Sequence, residues 1–402
     1  MSGAPRISPR IAQVEESATL AIDAKAKALR AAGVDVIGFG AGEPDFSTPE
    51  FIVEAAVDAA RDPRNHKYTP ATGLPELKAA IVAKTNRDSD LDFATDQVIV
   101  TNGGKHAVFN AIMTIVGEGD EVLIPSPFWT TYPELVKLAG GVPVPVPTTL
   151  ADGFKVTPEV VARYVTSRTK AFIHVSPSNP TGAVYTEAET KALADFLDER
   201  GLFVITDEIY EHLTYDGVVA TPILRANESL RDRTIIVNGV AKTYAMTGWR
   251  IGWMIAPPDI TKAASNLQSQ ITSNIANVSQ RAAIAALTAD LSCVREMRTA
   301  FDARRRTMVR MIDAIEGFDI ILPEGAFYVF PSVEGLLGKP LGTKVPHSTM
   351  EVAEILLEEA KVAVVPGEAF AAPGYVRLSY ALADDALVEG INRIAALVHA
   401  SR

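Results

Sequence analysis

The chain of 402 residues has little cysteine, no long apolar run and fewer basic than acidic residues. A single cysteine, Cys293, excludes an internal disulfide and is typical of a reducing cytosol. No apolar stretch approaches the length of a membrane span, and the first ten residues contain no apolar signal core. Lysine and arginine number 38 against 49 aspartates and glutamates, a formal charge of −11 that argues against a nucleic-acid surface. We therefore expect a cytoplasmic protein with neither membrane nor nucleic-acid partners.

Several catalytic motifs are absent as well. The six histidines show no metal-ligand spacing and no Cys–His cluster exists, so no metal site is predicted. No Gly-x-Ser-x-Gly segment supports serine hydrolysis. The segment Val36–Gly42 imitates a dinucleotide-binding fingerprint, but the Glu43–Asp45 segment after it contains Pro44 and cannot begin the helix that the fingerprint needs. This argues against a nicotinamide cofactor.

Strand-like and helix-like segments alternate along most of the chain. Short apolar runs such as 97–100 and 171–175 alternate with longer helical patterns such as 187–200. This alternation predicts an α/β fold with a mostly parallel, doubly wound sheet. The Pro/Val segment 141–147 is expected to be an edge strand or a loop, because proline cannot donate to a ladder. A long helix over 291–315 marks the boundary of a smaller α+β domain.

A lysine and an aspartate occupy predicted strand ends. Lys242 follows the apolar run 235–237 and has small or apolar neighbours, whereas most lysines are solvated surface groups. Partial burial lowers proton affinity and makes a lysine a better nucleophile toward an aldehyde. Asp207 follows the run 202–205 and could cap a helix or pair with a protonated ring nitrogen. Together they favour pyridoxal 5'-phosphate (PLP) chemistry at the carboxyl ends of the strands.

Two further residues, Tyr210 and Asn179, are candidates to contact the cofactor. Tyr210 follows Asp207 by three residues, so a helical turn would place both on one side; a core role is an equal alternative. Asn179 begins an Asn-Pro-Thr-Gly segment that is either a simple turn or a source of a donor to the cofactor's phenolate oxygen. Its bond to Pro180 could be cis.

Two further groups of residues suit anions. The glycines of the Thr101–Lys105 segment could present backbone N–H groups to a phosphate at a helix start, and Arg250 could add a bidentate contact. Gly42 would allow a substrate to approach the backbone closely. Arg377 alternates with apolar neighbours on a short strand, for which an edge position is expected. Its side chain is either solvated or holds a carboxylate in a cleft.

Taken together, these segments resemble the class I (fold type I) aminotransferases, and among them the bacterial aspartate aminotransferases of subgroup Ib. The resemblance extends over about residues 10–398. The segments that carry it are Gly40–Phe46, Tyr68–Gly73, Gly103–Asn110, Ser126–Pro133, Asn179–Gly182, Asp207–Tyr210, Ala241–Arg250 and Val376–Tyr380. Each is weakly specific alone, but eight in the right order are highly specific.

The resemblance implies a fold type I PLP-dependent transferase. Its large domain is built on the mostly parallel doubly wound sheet, and its smaller α+β domain is built from both termini. The limits implied are residues 1–48 for an N-terminal arm and part of the small domain, 49–300 for the large PLP-binding domain and 301–402 for the small C-terminal domain.

The resemblance also implies roles in holding PLP. Lys242 would form the internal aldimine and Asp207 would pair with the pyridine nitrogen. Tyr210 and Asn179 would contact the ring hydroxyl oxygen, and Trp129 would stack on the ring. For the phosphate, the implied ligands are Arg250, the backbone around Gly104 and Lys105, and Tyr68 of the neighbouring subunit, because the family's sites lie at a homodimer interface. Cis peptides are implied before Pro127 and Pro180.

The substrate residues implied are Gly42, Lys105, Trp129, Asn179 and Arg377. Arg377 would hold the α-carboxylate near Gly42, and Lys105 would meet the distal carboxylate of an acidic substrate. Thr19 and Ser273 are weaker candidates to assist, the latter from the neighbouring subunit.

Three positions depart from the pattern of the family. Ala241 replaces a serine that many relatives carry before the lysine, and His106 stands where glutamine is common. Glu15 stands where members that also accept prephenate carry lysine, which argues against prephenate as a second substrate.

The sequence therefore predicts a homodimeric aminotransferase with ping-pong kinetics. The expected substrates are small molecules, aspartate or glutamate with 2-oxoglutarate or oxaloacetate. Within the same fold, an aromatic, alanine or kynurenine aminotransferase is an alternative, and so is a PLP lyase or decarboxylase, although Arg377 favours transamination. From a different class, a PLP-sensing transcriptional regulator is disfavoured by the acidic charge balance.

Overall fold

A computed structural model of the protein describes residues 6–16 and 18–401, without the side chains of residues 18–20 and 23. The predicted contribution of the Thr19 side chain therefore lies outside the described residues. Within the described part of the chain, no helix has the length and apolar content of a membrane span.

Fourteen α-helices and twelve β-strands are found in the described residues. The helices are α1 Pro9–Ala12, α2 Ala18–Ala31, α3 Glu50–Arg61, α4 Pro75–Ser89, α5 Gly104–Ile115, α6 Thr131–Leu138, α7 Pro158–Ala162, α8 Glu187–Glu199, α9 Ile223–Ala226, α10 Pro258–Ile271, α11 Asn277–Thr288, α12 Ser292–Asp313, α13 Thr349–Glu358 and α14 Asp384–Ala400. The strands are β1 Ile37–Gly38, β2 Val98–Asn102, β3 Glu121–Ser126, β4 Val142–Pro147, β5 Thr169–Val175, β6 Phe203–Asp207, β7 Thr234–Gly239, β8 Ile251–Ile255, β9 Tyr328–Val329, β10 Val362–Ala363, β11 Val365–Pro366 and β12 Val376–Ser379.

Seven strands form the central sheet in the order β2-β8-β7-β6-β5-β3-β4. The pairs among β4, β3, β5, β6 and β7 are parallel, whereas β8 is antiparallel to both of its neighbours. The predicted mostly parallel sheet is therefore confirmed. Because β5, β6 and β7 run in one direction, their carboxyl ends meet at one edge of the sheet.

Both faces of this sheet are buried. Along β6, Val204 belongs to a core that includes side chains of α4, α8 and α11, whereas Ile205 belongs to a core formed with α5, α6 and α10. Residues of a strand alternate between the two faces, so both must be apolar when helices cover both. This explains the continuous apolar runs in the sequence.

The proline-rich strand β4 lies at the edge of the sheet, where it pairs only with β3. Proline has no N–H to donate, and an edge strand needs partners on one side only. The expectation of an edge strand or loop is confirmed as an edge strand.

A smaller α+β unit is built mainly from residues after α12 and also contains β1. It contains the antiparallel sheet β11-β12-β9 and the parallel pair β1-β10, in which Ile37 lies opposite Val362. Residues near both ends of the chain thus join one unit. This pairing supports our proposal that residues 1–48 and 301–402 flank a large domain of residues 49–300, with α12 crossing the second boundary.

The strand that carries Arg377 is not an edge strand. Strand β12 lies between β11 and β9, so it is the middle strand of its sheet. The edge position expected from the sequence is wrong. The alternation around Arg377 indicates a strand but cannot show how many neighbours that strand has.

Candidate active site

A cavity of about 430 Å³ lies at the carboxyl ends of β5, β6 and β7. We call it the strand-end cavity. Ten of the eleven residues predicted to form the site line it: Gly42, Gly104, Lys105, Trp129, Asn179, Asp207, Tyr210, Lys242, Arg250 and Arg377. They come from both units of the chain, so the fold brings together segments that are far apart in sequence.

Lys242 lies just beyond the end of β7 and is partly buried. Its Nζ donates a hydrogen bond to the carbonyl oxygen of Gly42 and lies 5.7 Å from the centre of the Phe327 ring. Burial lowers the pKa of Lys242 to about 8, although the charge of Glu43 opposes the shift. A lysine with this pKa is neutral far more often near pH 7 than a solvated one, so it is a better nucleophile.

Asp207 ends β6 with a buried carboxylate. Its Oδ1 accepts a hydrogen bond from the backbone N–H of Ile209 at 3.1 Å, and its Oδ2 accepts one from the Tyr132 hydroxyl at 2.8 Å. Burial raises the pKa of Asp207, whereas these donors and nearby Lys242 oppose the rise. The segment 208–212 forms turns instead of a helix, so the helix-cap alternative for Asp207 is wrong.

Tyr210 follows in that turn and is also buried. Its hydroxyl shares a hydrogen bond of 2.9 Å with the hydroxyl of Tyr328, and burial raises the pKa of Tyr210 well above its usual range. Gly42 faces the same hydroxyl, since a Cβ atom at Gly42 would lie 3.4 Å from Tyr328 Oη. The predicted side-by-side placement of Asp207 and Tyr210 is observed, but a turn produces it.

Arg377 is 2 % exposed. Its Nη1 donates to Asn179 Oδ1 at 3.0 Å and its Nη2 donates to the Gly40 carbonyl at 2.8 Å. The guanidinium carbon lies 4.5 Å from the centre of the Tyr328 ring and 5.1 Å from that of Phe370. Within the described residues, Arg377 has no carboxylate partner and its buried Nε has no hydrogen-bond acceptor.

This setting would suit a carboxylate beside the Arg377 guanidinium. Burying a guanidinium without an anion is costly, and here burial lowers the pKa of Arg377. Two neutral acceptors and two aromatic faces fix its orientation without neutralising its charge. A carboxylate that enters the cavity can supply the missing charge through a planar, charge-assisted contact.

The start of α5 forms a glycine cradle beside Arg250. A Cβ atom at Gly103 would lie 2.4 Å from Arg250 Nη2, so a larger residue would displace the guanidinium, and the φ of +80° would strain it as well. From the other side, a Cβ at Gly252 would lie 2.5 Å from Gly104 N. Helix α5 has no side-chain cap, and its first N–H groups with Arg250 suit an anion such as a phosphate.

Lys105 belongs to the first turn of α5 and is directed at Trp129. Its Nζ lies 5.2 Å from the centre of the Trp129 ring. Burial and the neighbouring Arg250 charge lower the pKa of Lys105. Trp129 in turn meets Tyr132 edge to face at 5.3 Å.

Tyr68 is the one predicted site residue that does not line the cavity of its own chain, and it is 92 % exposed. Ser273 does not line that cavity either. Both were predicted to act across a subunit interface, and these contributions stay predictions.

The lining residues that the sequence did not identify as part of the site include Lys27, Glu43, Tyr132 and Tyr328. Tyr132, in the first turn of α6, follows Trp129 by three residues, a spacing that would predict a shared surface if the helix had begun earlier. Tyr328 lies on a two-residue strand without a distinctive pattern. Its relation to Tyr210 comes from tertiary packing alone.

The charge of the cavity contrasts with that of the whole protein. Five cationic side chains line it, from Lys27, Lys105, Lys242, Arg250 and Arg377, against the carboxylates of Glu43 and Asp207. An excess of positive charge in a cleft attracts anions, so an acidic protein has a local site for phosphate and carboxylate groups.

The family model for "Aminotransferase class I and II" matches residues 34–394 of this chain. The chain belongs to this family. Its members use PLP, and the residues of the site described above, apart from Lys27, lie within the matched residues.

Full-length relatives agree with this assignment. The chain is 56% identical over 393 residues to an aspartate aminotransferase of Streptomyces avermitilis, covering 98% of this chain and 96% of that protein. A crystal structure of the aspartate aminotransferase from Rhizobium meliloti superimposes with a TM-score of 0.95 at 40% identity, covering 98% of this chain and 99% of the other. The structure of the Thermus thermophilus aspartate aminotransferase with maleate gives a TM-score of 0.92 at 41% identity, with coverages of 98% and 100%.

Proposed function

We propose that this aminotransferase uses PLP to transfer the amino group of aspartate or glutamate to 2-oxoglutarate or oxaloacetate. The observation that carries the proposal is the meeting of Lys242, Asp207 and Arg377 in one cavity. The first is a lysine of lowered pKa, the second a buried acid and the third a buried arginine without an anion.

The residues of the strand-end cavity fit PLP. When bound, PLP supplies a reactive aldehyde and a ring that withdraws electrons from the substrate α-carbon. Lys242 would hold the aldehyde carbon, and Asp207 would hold the pyridine nitrogen. The cradle of Gly103, Gly104 and Arg250 would hold the phosphate. Burial disfavours the charged forms of both Lys242 and Asp207, so a cofactor that binds both groups would offset this cost.

Lys242 is the residue placed to move protons. Its Nζ would take the proton from the substrate α-carbon and later return a proton, acting first as a general base and then as a general acid. A pKa of about 8 suits both roles near neutral pH. Because one substrate leaves as a 2-oxo acid before the second binds, the kinetics are expected to be ping-pong.

Arg377 would hold the α-carboxylate of the substrate. Asn179 and Gly40 already orient its guanidinium, so little side-chain freedom is lost on binding. A clamped α-carboxylate stays on the substrate, which favours transamination over decarboxylation. Tyr210 and Asn179 would contact the ring hydroxyl oxygen, and Trp129 would stack on the ring.

Tyr132 acts as a positioning residue for Asp207. Its hydroxyl donates a hydrogen bond to one carboxylate oxygen at 2.8 Å and opposes the rise in the pKa of Asp207 that burial causes. The backbone N–H of Ile209 holds the other oxygen. The carboxylate therefore has a fixed plane in which to meet a protonated ring nitrogen.

Lys105 would meet the distal carboxylate of an acidic substrate. Its Nζ lies over the Trp129 ring at the cavity wall, and the relatives reported above are named aspartate aminotransferases. A lysine is a single charge on a flexible stem, so it can move aside for an uncharged side chain. We therefore propose activity toward aromatic amino acids as a second, weaker function.

A homodimer with shared active sites completes this proposal. The 92 % exposure of Tyr68 supports a role in contacting a second subunit, whose cofactor phosphate it would reach. Ser273 would assist across the same interface. We place the enzyme in the cytoplasm, since its single cysteine suits a reducing compartment.

Half-reaction spectra test the proposed substrate class. The PLP-loaded protein is mixed with single amino acids in the absence of an oxo acid, and conversion to the aminated cofactor is followed by absorbance. Aspartate and glutamate should convert it fastest and phenylalanine more slowly. Conversion by alanine or kynurenine alone would show that the substrate assignment is wrong.

A further inference from the structure

A second cavity, of about 500 Å³, lies behind the strand-end cavity against the opposite face of the central sheet. We call it the rear cavity. Adjacent residues of a strand point to opposite faces. Val175 and Asp207 line the strand-end cavity, whereas His174, Thr206 and Glu208 line the rear cavity. The two cavities therefore lie on opposite faces of the sheet near the ends of β5 and β6.

His174 lines the rear cavity with an unsatisfied ring. It is 2 % exposed, and within the described part of the chain neither ring nitrogen has a hydrogen-bond partner. Its closest ring neighbour is Tyr185, with centres 5.2 Å apart. Burial lowers the pKa of His174 to about 4, so the ring is neutral and offers one acceptor and one donor nitrogen. Buried polar groups normally have partners, so this one points to a ligand.

Most of the carboxylates around the rear cavity already have a lysine, arginine or histidine side chain as a partner. Lys84 and His212 pair with Asp88, Lys84 pairs with Glu211, and Arg305 and Arg306 pair with both Asp216 and Asp302. Glu208 differs, because it is the one lining carboxyl group in the described residues without such a partner. It is 7 % exposed and receives only a long contact of 3.4 Å from the Thr206 hydroxyl.

A metal ion does not explain this cavity. Asp88, Glu211 and His212 have ligand atoms within 4.8 Å of one another, as a metal site requires. However, the Lys84 ammonium contacts Glu211 Oε1 and lies 3.5 Å from Asp88 Oδ2. A cation already neutralises this group, which leaves Glu208 as the lining carboxyl group of the described residues that no basic side chain pairs with.

We propose that the rear cavity is a binding site for a small organic cation with N–H groups, held by the Glu208 carboxylate and a ring nitrogen of His174. The cation would pair with the ionised Glu208 carboxylate and donate an N–H to the acceptor nitrogen of the neutral His174 ring. The hydroxyls of Thr206 and Ser176, which also line the cavity, provide further acceptors. This site is independent of the proposed substrate assignment.

Binding of the cation releases a proton. Burial and the charge of Glu211 raise the pKa of Glu208 to about 8, with Lys84 opposing the rise and nearby Asp207 adding to it. Near pH 7 the free side chain is therefore mostly protonated. When the cation binds, the Glu208 proton passes to solvent and the carboxylate pairs with the ligand, so affinity should increase with pH up to about 8.

Titration calorimetry on the PLP-loaded protein tests the site, with methylguanidinium chloride as the probe. A guanidinium avoids the reaction of primary amines with the cofactor aldehyde. We expect one saturable site per chain, with affinity that increases about tenfold per unit between pH 6 and 7.5. Tetramethylammonium, which has no N–H, should bind at least about tenfold more weakly. Heats no larger than those of sodium chloride, or affinity independent of pH, would overturn the proposal.

Three variants assign the site to its residues. Glu208→Gln and His174→Phe should each weaken methylguanidinium binding by about tenfold or more, and Glu208→Gln should also abolish the dependence on pH. Glu199→Gln, which neutralises an exposed glutamate in α8, is the matched control and should bind normally. Circular dichroism and cofactor absorbance verify that each variant is folded. Wild-type affinity in Glu208→Gln would overturn the proposal, and the wild-type pH series decides it if that variant does not fold.

Discussion

The hydroxyl of Tyr132 donates a 2.8 Å hydrogen bond to Asp207 Oδ2, and both side chains are buried. The two residues are 75 positions apart and belong to α6 and β6. The bond lowers the pKa of Asp207 against the effect of burial. It therefore helps to keep charged the acid that we assign to the cofactor nitrogen.

Replacing Tyr132 by phenylalanine should raise the pKa of Asp207, because the carboxylate loses a donor while it stays buried. Activity that needs ionised Asp207 would then fail at a higher pH as the solution is acidified. A hydrogen bond to a charged group is worth about 1.5–3 kcal/mol, so kcat should decrease by roughly ten- to a hundredfold. The pH profile of kcat/KM, measured beside the control Tyr164→Phe, checks this. If the acidic side of the kcat/KM profile has the same midpoint in Tyr132→Phe as in the wild type, the positioning role of Tyr132 is contradicted.

Lys242 should be the residue that carries the cofactor. Purified protein is expected to be yellow, and borohydride should fix the cofactor to a peptide that contains Lys242. Lys242→Ala should fold and lose catalysis, whereas Lys191→Ala on the exposed face of α8 should retain both colour and activity. Peptide mapping by mass spectrometry locates the label. Its recovery on a different lysine would refute the assignment.

The cofactor-free protein should show the cost of burying the Lys242 charge. The folded pKa of about 8 lies below the unfolded value, so the unfolded chain binds more protons between about pH 8 and 10. Stability contributed by this residue is therefore lowest below pH 8 and increases as the pH rises through that window. Lys242→Met should be more stable than the wild type at pH 7, and its advantage should shrink toward pH 10.

Urea unfolding of the two cofactor-free proteins at pH 7, 8, 9 and 10 measures this difference. Lys191→Met serves as the control, since its parent lysine is exposed and its substitution should give no such trend. A difference between wild type and Lys242→Met that stays constant with pH would mean that the lysine has an ordinary pKa in the folded chain.

Lys105→Ala should separate acidic from aromatic substrates. A charge-assisted contact is worth about 1.5–3 kcal/mol, so kcat/KM for aspartate should decrease by roughly ten- to a hundredfold. The value for phenylalanine should change much less, because that substrate has no distal carboxylate. Steady-state kinetics with both substrates provide the comparison. Equal losses would indicate that Lys105 serves the cofactor phosphate instead.

The residues at the strand ends could be predicted from the sequence because local patterns indicate them. A polar residue that ends a continuous apolar run, as Asp207 does, lies at the end of a buried parallel strand. Lys242 follows the same rule. The sheet was predictable for the same reason, since strands that are covered on both faces have few polar residues.

Contacts between segments that are distant in sequence could not be predicted in this way. Three features depend on which segments meet in three dimensions. They are the hydrogen bond between Tyr210 and Tyr328, the central position of β12 in its sheet, and the lack of a basic partner for Glu208 in the described residues. Arg377 shows the limit clearly, because its alternating neighbours predict a strand but do not reveal whether the side chain faces water or a cavity. Tertiary packing decides between these outcomes.

The hydrogen bond from Arg377 to the Gly40 carbonyl spans 337 residues. It has a consequence for how the protein is made on the ribosome. A nascent chain that has emerged only as far as α12 already contains Lys242, Asp207 and the glycine cradle, but it lacks the arginine. The Gly40 carbonyl can accept this hydrogen bond only after nearly the entire chain has been synthesised. The capacity to grip a carboxylate is thus acquired last, at the end of translation.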